Sequence, residues 1–472
     1  MVGREPPRRP RRRRHRGRGP QVRRAEVARH PGEPPAGGAA GGVRHRLDAR
    51  DRPAVRVARG PARRGVPRRP HRLTDQFRPG PRSHPGRGRR GGGVDQGERI
   101  AAAVTAAVAD GQVPGAAWRV DRHGTVLSRG AAGVHTPGSE DAVTPESVFR
   151  IASTTKPVVA AVAMALVDDG VLDLEAAVDG LLPELADRQV LVDAADAGAG
   201  TVPARRPITV RDVLTFRLGL GIDFTAPWPS PTLTALAEAG LPVGPPSPQS
   251  APPPDEWLRR LATVPLAHQP GERWLYHAGA SVLGVLVARA AGRPLPELLA
   301  ERVLVPLGMG STGFGVPVPA RDRLGPHWAP PGPEGAREVY DPADGQWSRP
   351  PAFPDGGDGL VSTVDDLAAF ARMLQTGGGP VLSPRAVRAM TTEQVGPVDD
   401  EGGGWGLGIG VRTTDEPGGR HAGSYGWDGG LGSSWWTDPV TGVTAVLLTN
   451  QMWSSPQPPP LFEAFRAAAF AV

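Results

Sequence analysis

The chain has 472 residues, no cysteine, 55 lysine and arginine residues, 48 acidic residues and a formal net charge of +7. The lack of cysteine excludes disulfides, thiolate metal sites and cysteine nucleophiles. Residues 1–90 carry 28 arginines and six acidic residues, which leaves 27 basic and 42 acidic residues for 91–472. Because the excess of basic charge is confined to the head of the chain, we expect no nucleic-acid binding by the folded part.

Residues 1–93 are rich in Arg, Pro and Gly, with few apolar residues and no apolar periodicity. Such a segment cannot bury enough surface to fold alone, so we expect a disordered extension followed by a folded domain over 94–472. Three interpretations stay open for it: a tail without a specific role, a tether to nucleic acid or an anionic surface, and a start codon placed too far upstream. No apolar core follows its arginine pairs, as an export signal requires, so we expect a cytoplasmic protein.

The first predicted elements are a helix over 95–110 and a β-hairpin within 114–134. A strongly apolar helix over 153–167 follows, with Ser153 or Thr154 at its start. Its longest uncharged apolar run is about eleven residues, whereas a membrane span needs ~18. We therefore expect a buried helix and no membrane span.

The middle of the chain is predicted to be mostly helical. A short helix lies within 207–221 and ends in a glycine-rich loop, and the Pro-rich segment 225–254 is predicted to be a lid or disordered, as long loops usually are. Further helices are expected over 255–261, 278–291 and 364–375.

The end of the chain changes its periodicity. Residues 433–451 predict two strands joined at Asp438 and Pro439, and the second strand is nearly all apolar, which indicates a central position in a sheet. A closing helix is expected over 461–470. Together these elements predict an α+β fold, in which an antiparallel sheet is flanked by terminal helices and a mostly helical region is inserted over 170–363.

Lys156 is the sole lysine, and the other 54 basic residues are arginine. It follows Ser153 by three positions, and residues i and i+3 of a helix share one face, so the amine can reach the serine hydroxyl. Lysine can take the serine proton when burial lowers its pKa enough to give a neutral amine near neutral pH. Arginine stays protonated in proteins, which gives a reason for one lysine to persist.

The sequence around this pair resembles the serine β-lactamase and penicillin-binding-protein superfamily, and within it the class C-like esterases. Ser153 and Lys156 match the S-x-x-K motif. The resemblance covers roughly residues 95–455 and includes the segments FRIAS, ITVRDVLT, PGERWLYHAG, PLGMGSTGFG, GDGLVSTVDDLAAF, WGLGIG and WDGGLGSSW. It implies a β-lactamase/transpeptidase-like fold and an acyl-enzyme mechanism on Ser153, without a cofactor.

The second motif of that superfamily, Tyr-x-Asn, is matched by Tyr276, His277 and Ala278. The resemblance implies that Tyr276 shares the general-base role with Lys156 and returns the proton to the leaving group. Ala278 departs from the asparagine that would contact an amide of the substrate, which argues against β-lactams and peptides and leaves ester hydrolysis untouched. His277 is either a substrate contact or a packed or solvated histidine.

The third motif, Lys/His-Thr-Gly, has two candidates, because the sole lysine excludes the lysine form. One comprises Trp427, Asp428 and Gly429, and the other comprises His421, Ala422 and Gly423. We favour the first, since a glycine-rich strand should directly precede the strand that starts at Ser433. The N–H groups of Gly430 and Ser153 would then form an oxyanion hole, and the tryptophan would offer no cation for a substrate carboxylate.

These features predict a serine hydrolase that acts on small or medium acyl esters and uses no metal, since the histidines lack ligand spacing. Trp228, Trp405 and Trp427 are expected to shape an apolar acyl pocket. The alternatives are a β-lactamase or D-amino-acid peptidase, and a non-catalytic binding protein of the same fold.

Overall fold

A computed structural model describes residues 95–241 and 243–471. The predicted extension over 1–93 and its boundary with the domain lie outside these residues and stay a prediction. The α-helices are α1 Gln96–Ala109, α2 Thr155–Asp168, α3 Val210–Leu214, α4 Pro231–Glu238, α5 Pro254–Thr263, α6 Ala278–Ala291, α7 Leu295–Leu299, α8 Val305–Leu307, α9 Val364–Gln375, α10 Pro384–Thr391 and α11 Pro460–Phe470. The strands are β1 Gly115–Arg122, β2 Thr125–Gly133, β3 Phe149–Arg150, β4 Gln189–Asp193, β5 Asp196–Pro203, β6 His327–Trp328, β7 Val339–Asp341, β8 Val361–Ser362, β9 Gly403–Trp405, β10 Gly410–Arg412, β11 Tyr425–Gly429, β12 Ser433–Asp438 and β13 Val443–Thr449.

The main sheet has seven antiparallel strands in the order β2-β1-β13-β12-β11-β10-β9. Strand β13 is buried along its whole length, as its apolar sequence predicted. Successive side chains of a strand point to opposite faces. Ala445 and Leu447 accordingly pack with α1 and α11, whereas Val446 and Leu448 pack with the larger core that contains α9. The predicted α+β architecture, with terminal helices on an antiparallel sheet, is confirmed.

The inserted region is built around two apolar helices. Every residue of α2 from Thr155 to Leu166 is buried, and α6 is buried from Ala278 to Val287. A helix that is apolar on all sides is stable only when other elements surround it, and both helices contribute to the largest hydrophobic core. Among the described residues, none of the helices combines the length and apolar character that crossing a membrane requires.

Two parts of the inserted region differ from the prediction. The predicted helical region also contains a β-hairpin of β4 and β5, whose short alternating run gives a weak signal. The Pro-rich segment 225–254 is not a plain loop, because it contains α4. Ser230 caps that helix by accepting a hydrogen bond from Leu233 N, and Pro231 occupies the first helical position, where proline is favoured.

Candidate active site

Ser153 lies in a tight turn that joins β3 to α2. A short 3₁₀ helix, Ala152–Thr154, directly precedes α2, and Ala152 has a positive φ of 40°, a conformation that is unfavourable for residues other than glycine. Side chains fix the turn to the sheet: the hydroxyl groups of Thr154 and Ser433 are 2.8 Å apart, and Ser433 Oγ donates to Ile151 O at 2.7 Å. Ser153 is therefore held in position at the start of a helix.

Lys156 is buried one turn further along α2, with 1 % of its side chain exposed. Its ammonium donates to Ser153 Oγ at 2.7 Å, to Gly357 O at 2.9 Å and to Asp358 Oδ1 at 3.3 Å. The predicted proximity of Ser153 and Lys156 is thus present, and the lysine also contacts a loop some 200 residues further along the chain.

Asp358 is a site residue that the sequence interpretation missed. It lies just before β8, within a loop of sequence DGGDG, and Ser153 Oγ donates to its Oδ1 at 3.0 Å. Burial raises the pKa of Asp358, but the charge of Lys156 and the hydrogen bonds from Ser153 and Lys156 outweigh burial, so the pKa lies below its usual value. The available signal was two aspartates in a glycine-rich loop, which does not indicate their target in space.

The protonation state of Lys156 differs from the expectation. Burial alone lowers the pKa of Lys156, as the sequence interpretation assumed. The negative charge of Asp358 acts against it, together with Tyr276, and the pKa ends above its usual value. Lys156 is therefore a cation at neutral pH, because its buried partner is a carboxylate.

Tyr276 and His277 both reach the site. The ammonium of Lys156 lies 4.7 Å from the centre of the Tyr276 ring, and the Tyr276 hydroxyl accepts a hydrogen bond from Trp427 Nε1 at 2.8 Å. His277 has a φ of 83°, and its Nδ1 lies 3.5 Å from Lys156 Nζ and 3.7 Å from Asp358 Oδ2. Tyr276 and His277, the first two residues of the second motif, thus both lie next to Lys156.

Of the two candidates for the third motif, the one that comprises Trp427, Asp428 and Gly429 lies beside Ser153, at the end of β11. A Cβ atom on Gly429 would meet Ile151 O and Ser433 Oγ and lie 3.2 Å from Ser153 N, so this strand approaches the serine turn backbone to backbone. Gly430 follows directly and is exposed. The backbone of Gly429 therefore lies beside Ser153 N, and Gly430 is its neighbour in the chain.

The other candidate lies elsewhere. His421 Nδ1 is 2.7 Å from Asp438 Oδ2, and Gly423 is in a turn with a φ of 86°. Because Asp438 ends β12 whereas Ser433 begins it, the two ends are about 16 Å apart at ~3.3 Å per residue. The structure therefore does not bring His421 or Gly423 to Ser153.

Aromatic side chains form one wall of the site. Trp427 lies 5.6 Å from Tyr276 and 4.7 Å from Trp405 between ring centres. Trp405 is fully buried and therefore supports the wall from behind. Phe224 lies 5.5 Å from Tyr276 and is 54 % exposed, which places an apolar ring at the edge. Trp228 is 64 % exposed, and within the part of the chain that the structure describes no ring contact joins it to this wall.

Comparison with known proteins agrees with the class of site that these contacts define. The family model described as Beta-lactamase matches residues 100–468, and the chain belongs to this family of serine hydrolases. Esterase EstB of Burkholderia gladioli is 32 % identical over 392 residues, which cover 79 % of this chain and 95 % of that protein. Lovastatin esterase of Penicillium rubens is 28 % identical over 373 residues, which cover 72 % and 90 %.

A solved structure gives the same result. EstCE1, described as a hydrolase with promiscuous acyltransferase activity, superimposes with a TM-score of 0.67 at 25 % identity, covering 79 % of this chain and 98 % of that one. The superfamily, the fold and the serine-hydrolase class predicted from the sequence are thereby confirmed.

Proposed function

We propose that this protein is a carboxylesterase that forms an acyl-enzyme on Ser153. The observation that carries the proposal is the distance of 2.7 Å from Lys156 Nζ to Ser153 Oγ, at a helix start beside the backbone of Gly429. A nucleophilic serine needs a neighbouring group that controls its proton and donors that stabilise the oxyanion. The esterase names of two relatives support a carboxylic ester as the substrate.

In the proposed reaction, the proton of Ser153 passes to a basic group of the site as Oγ attacks the ester carbonyl, and the N–H groups of Ser153 and Gly430 stabilise the oxyanion. The Lys156 ammonium favours negative charge on the attacking oxygen and on the phenol of Tyr276. Tyr276 gives a proton to the leaving alcohol, and water then hydrolyses the acyl-enzyme.

The wall of the site supports small or medium acyl esters as substrates. Trp427 and Phe224 offer apolar surface and no cation, so nothing in this wall would pair with the carboxylate of a penicillin or a peptide. Ala278 likewise provides no side-chain amide. A cytoplasmic location stays an expectation from the sequence.

Active-site labelling tests this function. We expect intact-mass spectrometry to find one fluorophosphonate adduct on the protein and none on Ser153→Ala, with no lasting adduct from benzylpenicillin. The protein should also hydrolyse p-nitrophenyl butyrate. A lasting penicilloyl adduct would favour a penicillin-binding enzyme, and no adduct from either reagent would favour a non-catalytic binding protein.

Two neighbouring glycines give a matched test of the oxyanion hole. A methyl group at Gly429 would press on the backbone of Ile151 and displace the strand from Ser153 N, whereas a methyl group at Gly430 has nothing within 4 Å. We expect Gly429→Ala to lower kcat/KM by about 10²-fold, the effect of losing one oxyanion donor. Gly430→Ala keeps its N–H and should stay within about 3-fold of the unmodified protein. Equal rates for the two variants would contradict this placement.

A further inference from the structure

As an ammonium, Lys156 has no lone pair with which to take the proton of Ser153. A lysine ammonium has three donors and no acceptor. Its three shortest contacts are with Ser153 Oγ, Gly357 O and Asp358 Oδ1, at 2.7, 2.9 and 3.3 Å, and His277 Nδ1 lies at 3.5 Å. The hydroxyl proton of Ser153 in turn points to Asp358 Oδ1 at 3.0 Å. In this arrangement the acceptor of the serine proton is a carboxylate.

Asp358 is enclosed by groups from several elements. It faces Lys156 of α2, and His277 before α6 lies at 3.7 Å. The charge of Asp358 also acts on Asp355 in its own loop and on the phenol of Tyr340. Burial, with the charge of Asp358, raises the pKa of Asp355, whereas Asp358 is kept ionised by Lys156. Of the two carboxyl groups, Asp358 is the one that accepts a hydrogen bond from Ser153 Oγ.

We propose that Asp358 is a further catalytic residue, whose Oδ1 receives the proton of Ser153 as the acyl-enzyme forms. This inference rests on the proposed esterase function, because it names the base of that reaction. It gives Lys156 the role of a cation that orients Ser153 and Asp358 during the attack and that afterwards relays a proton from Asp358 to Tyr276.

The proton can be followed through the step. The O–H bond of Ser153 breaks, its proton joins Asp358 Oδ1, and Oγ bonds to the ester carbon while the carbonyl electrons move to the oxyanion. When the oxyanion collapses, the bond to the alcohol breaks and the alcohol takes a proton from Tyr276. Lys156 restores the proton of Tyr276 and regains its own from Asp358. One proton has then moved from Ser153 to the alcohol, and the three side chains are unchanged.

The same cluster could be taken for a metal site, since the ligand atoms of His277, Asp355 and Asp358 lie within 4.8 Å of one another. A divalent ion there would stand close to the Lys156 ammonium, which is 3.3 Å from Asp358. Like charges at such distances repel strongly in a buried site. The Lys156 ammonium, rather than a metal ion, is therefore the better explanation for the presence of two aspartates in this loop.

The test compares Asp358→Asn with Asp355→Asn, the same exchange three residues earlier in the loop. We expect Asp358→Asn to lower kcat/KM for p-nitrophenyl butyrate at pH 7 by about 10²–10⁴-fold, the usual contribution of a general base. Asp355→Asn keeps an acceptor for Gly357 N and should stay within about 5-fold. Thermal unfolding of both variants checks that they are folded.

The pH profile distinguishes catalysis from a structural role. Without the carboxylate, burial lowers the pKa of Lys156, so the residual activity of Asp358→Asn should rise with pH as a neutral amine forms. The unmodified protein should show no rise above about pH 8, because Lys156 and Asp358 are both ionised across the neutral range. A rise in the unmodified protein would overturn the proposal and would not require any variant to fold.

Other outcomes are equally decisive. The proposal is overturned if Asp358→Asn keeps a rate within about 5-fold of the unmodified protein, or if EDTA removes activity and Zn²⁺ restores it. If the unmodified protein is neither labelled by a fluorophosphonate nor active on esters, the esterase function itself fails. Normal labelling and turnover with an unimpaired Asp358→Asn would reject only the role of Asp358.

Discussion

Replacing the sole lysine, Lys156→Arg, should lower kcat/KM for p-nitrophenyl butyrate by about 10³-fold or more, even though the positive charge is kept. The ammonium fits between three acceptors within 3.3 Å of one nitrogen, in a site where the side chain is 1 % exposed. A guanidinium is larger and planar, and its donors diverge, so it cannot make these three contacts without displacing Ser153 or the Asp358 loop. Steady-state hydrolysis and fluorophosphonate labelling measure the loss.

The control is the reverse replacement, arginine by lysine, at a position away from Ser153. Arg302 pairs with Asp169 at 2.6 Å on the surface, and Arg302→Lys should leave kcat/KM unchanged. If Lys156→Arg retained more than about a tenth of the activity, the site would need only a positive charge. The geometric reason for keeping a lysine would then be wrong.

The local parts of the site could be predicted from the sequence. Ser153 and Lys156 belong to one turn of chain, where spacing determines which side chains meet. The choice of Trp427 and Gly429 over His421 depended on a short connection to the next strand, and Gly429 does pair with Ser433 in register. Predictions of this kind have few alternatives, because short-range geometry limits which side chains can meet.

Asp358 could not be found in this way. It is 205 residues from Ser153 along the chain, and it lies in a glycine-rich loop without periodicity. Only the packing of that loop against α2 brings the carboxylate to the lysine. The expectation of a neutral Lys156 failed for the same reason, since burial can be predicted from an apolar helix whereas a distant partner cannot.

The largest effect on stability is expected for Arg150→Met, immediately before the serine turn. Arg150 Nε donates to Asp341 Oδ2 at 2.7 Å, and the two side chains are 2 % and 1 % exposed. Arg150 also donates to Gly325 O and Pro342 O. Its removal leaves a buried carboxylate without its cation, which should lower the free energy of unfolding by about 3–5 kcal/mol. Guanidinium chloride unfolding measures the change.

A double replacement distinguishes the net contribution of this ion pair to the free energy of unfolding from the cost of leaving one buried charge unpaired. In Arg150→Met with Asp341→Leu neither charge remains buried, so we expect much of the loss to be recovered, because apolar pairs of similar volume often replace buried ion pairs at little cost. Arg302→Met, which breaks a partly exposed pair, should cost about 0–1 kcal/mol. If Arg150→Met lowered the free energy of unfolding no more than Arg302→Met does, the carboxylate of Asp341 would have become hydrated or protonated in the variant. The ion pair would then position β3 and the serine turn without contributing to stability.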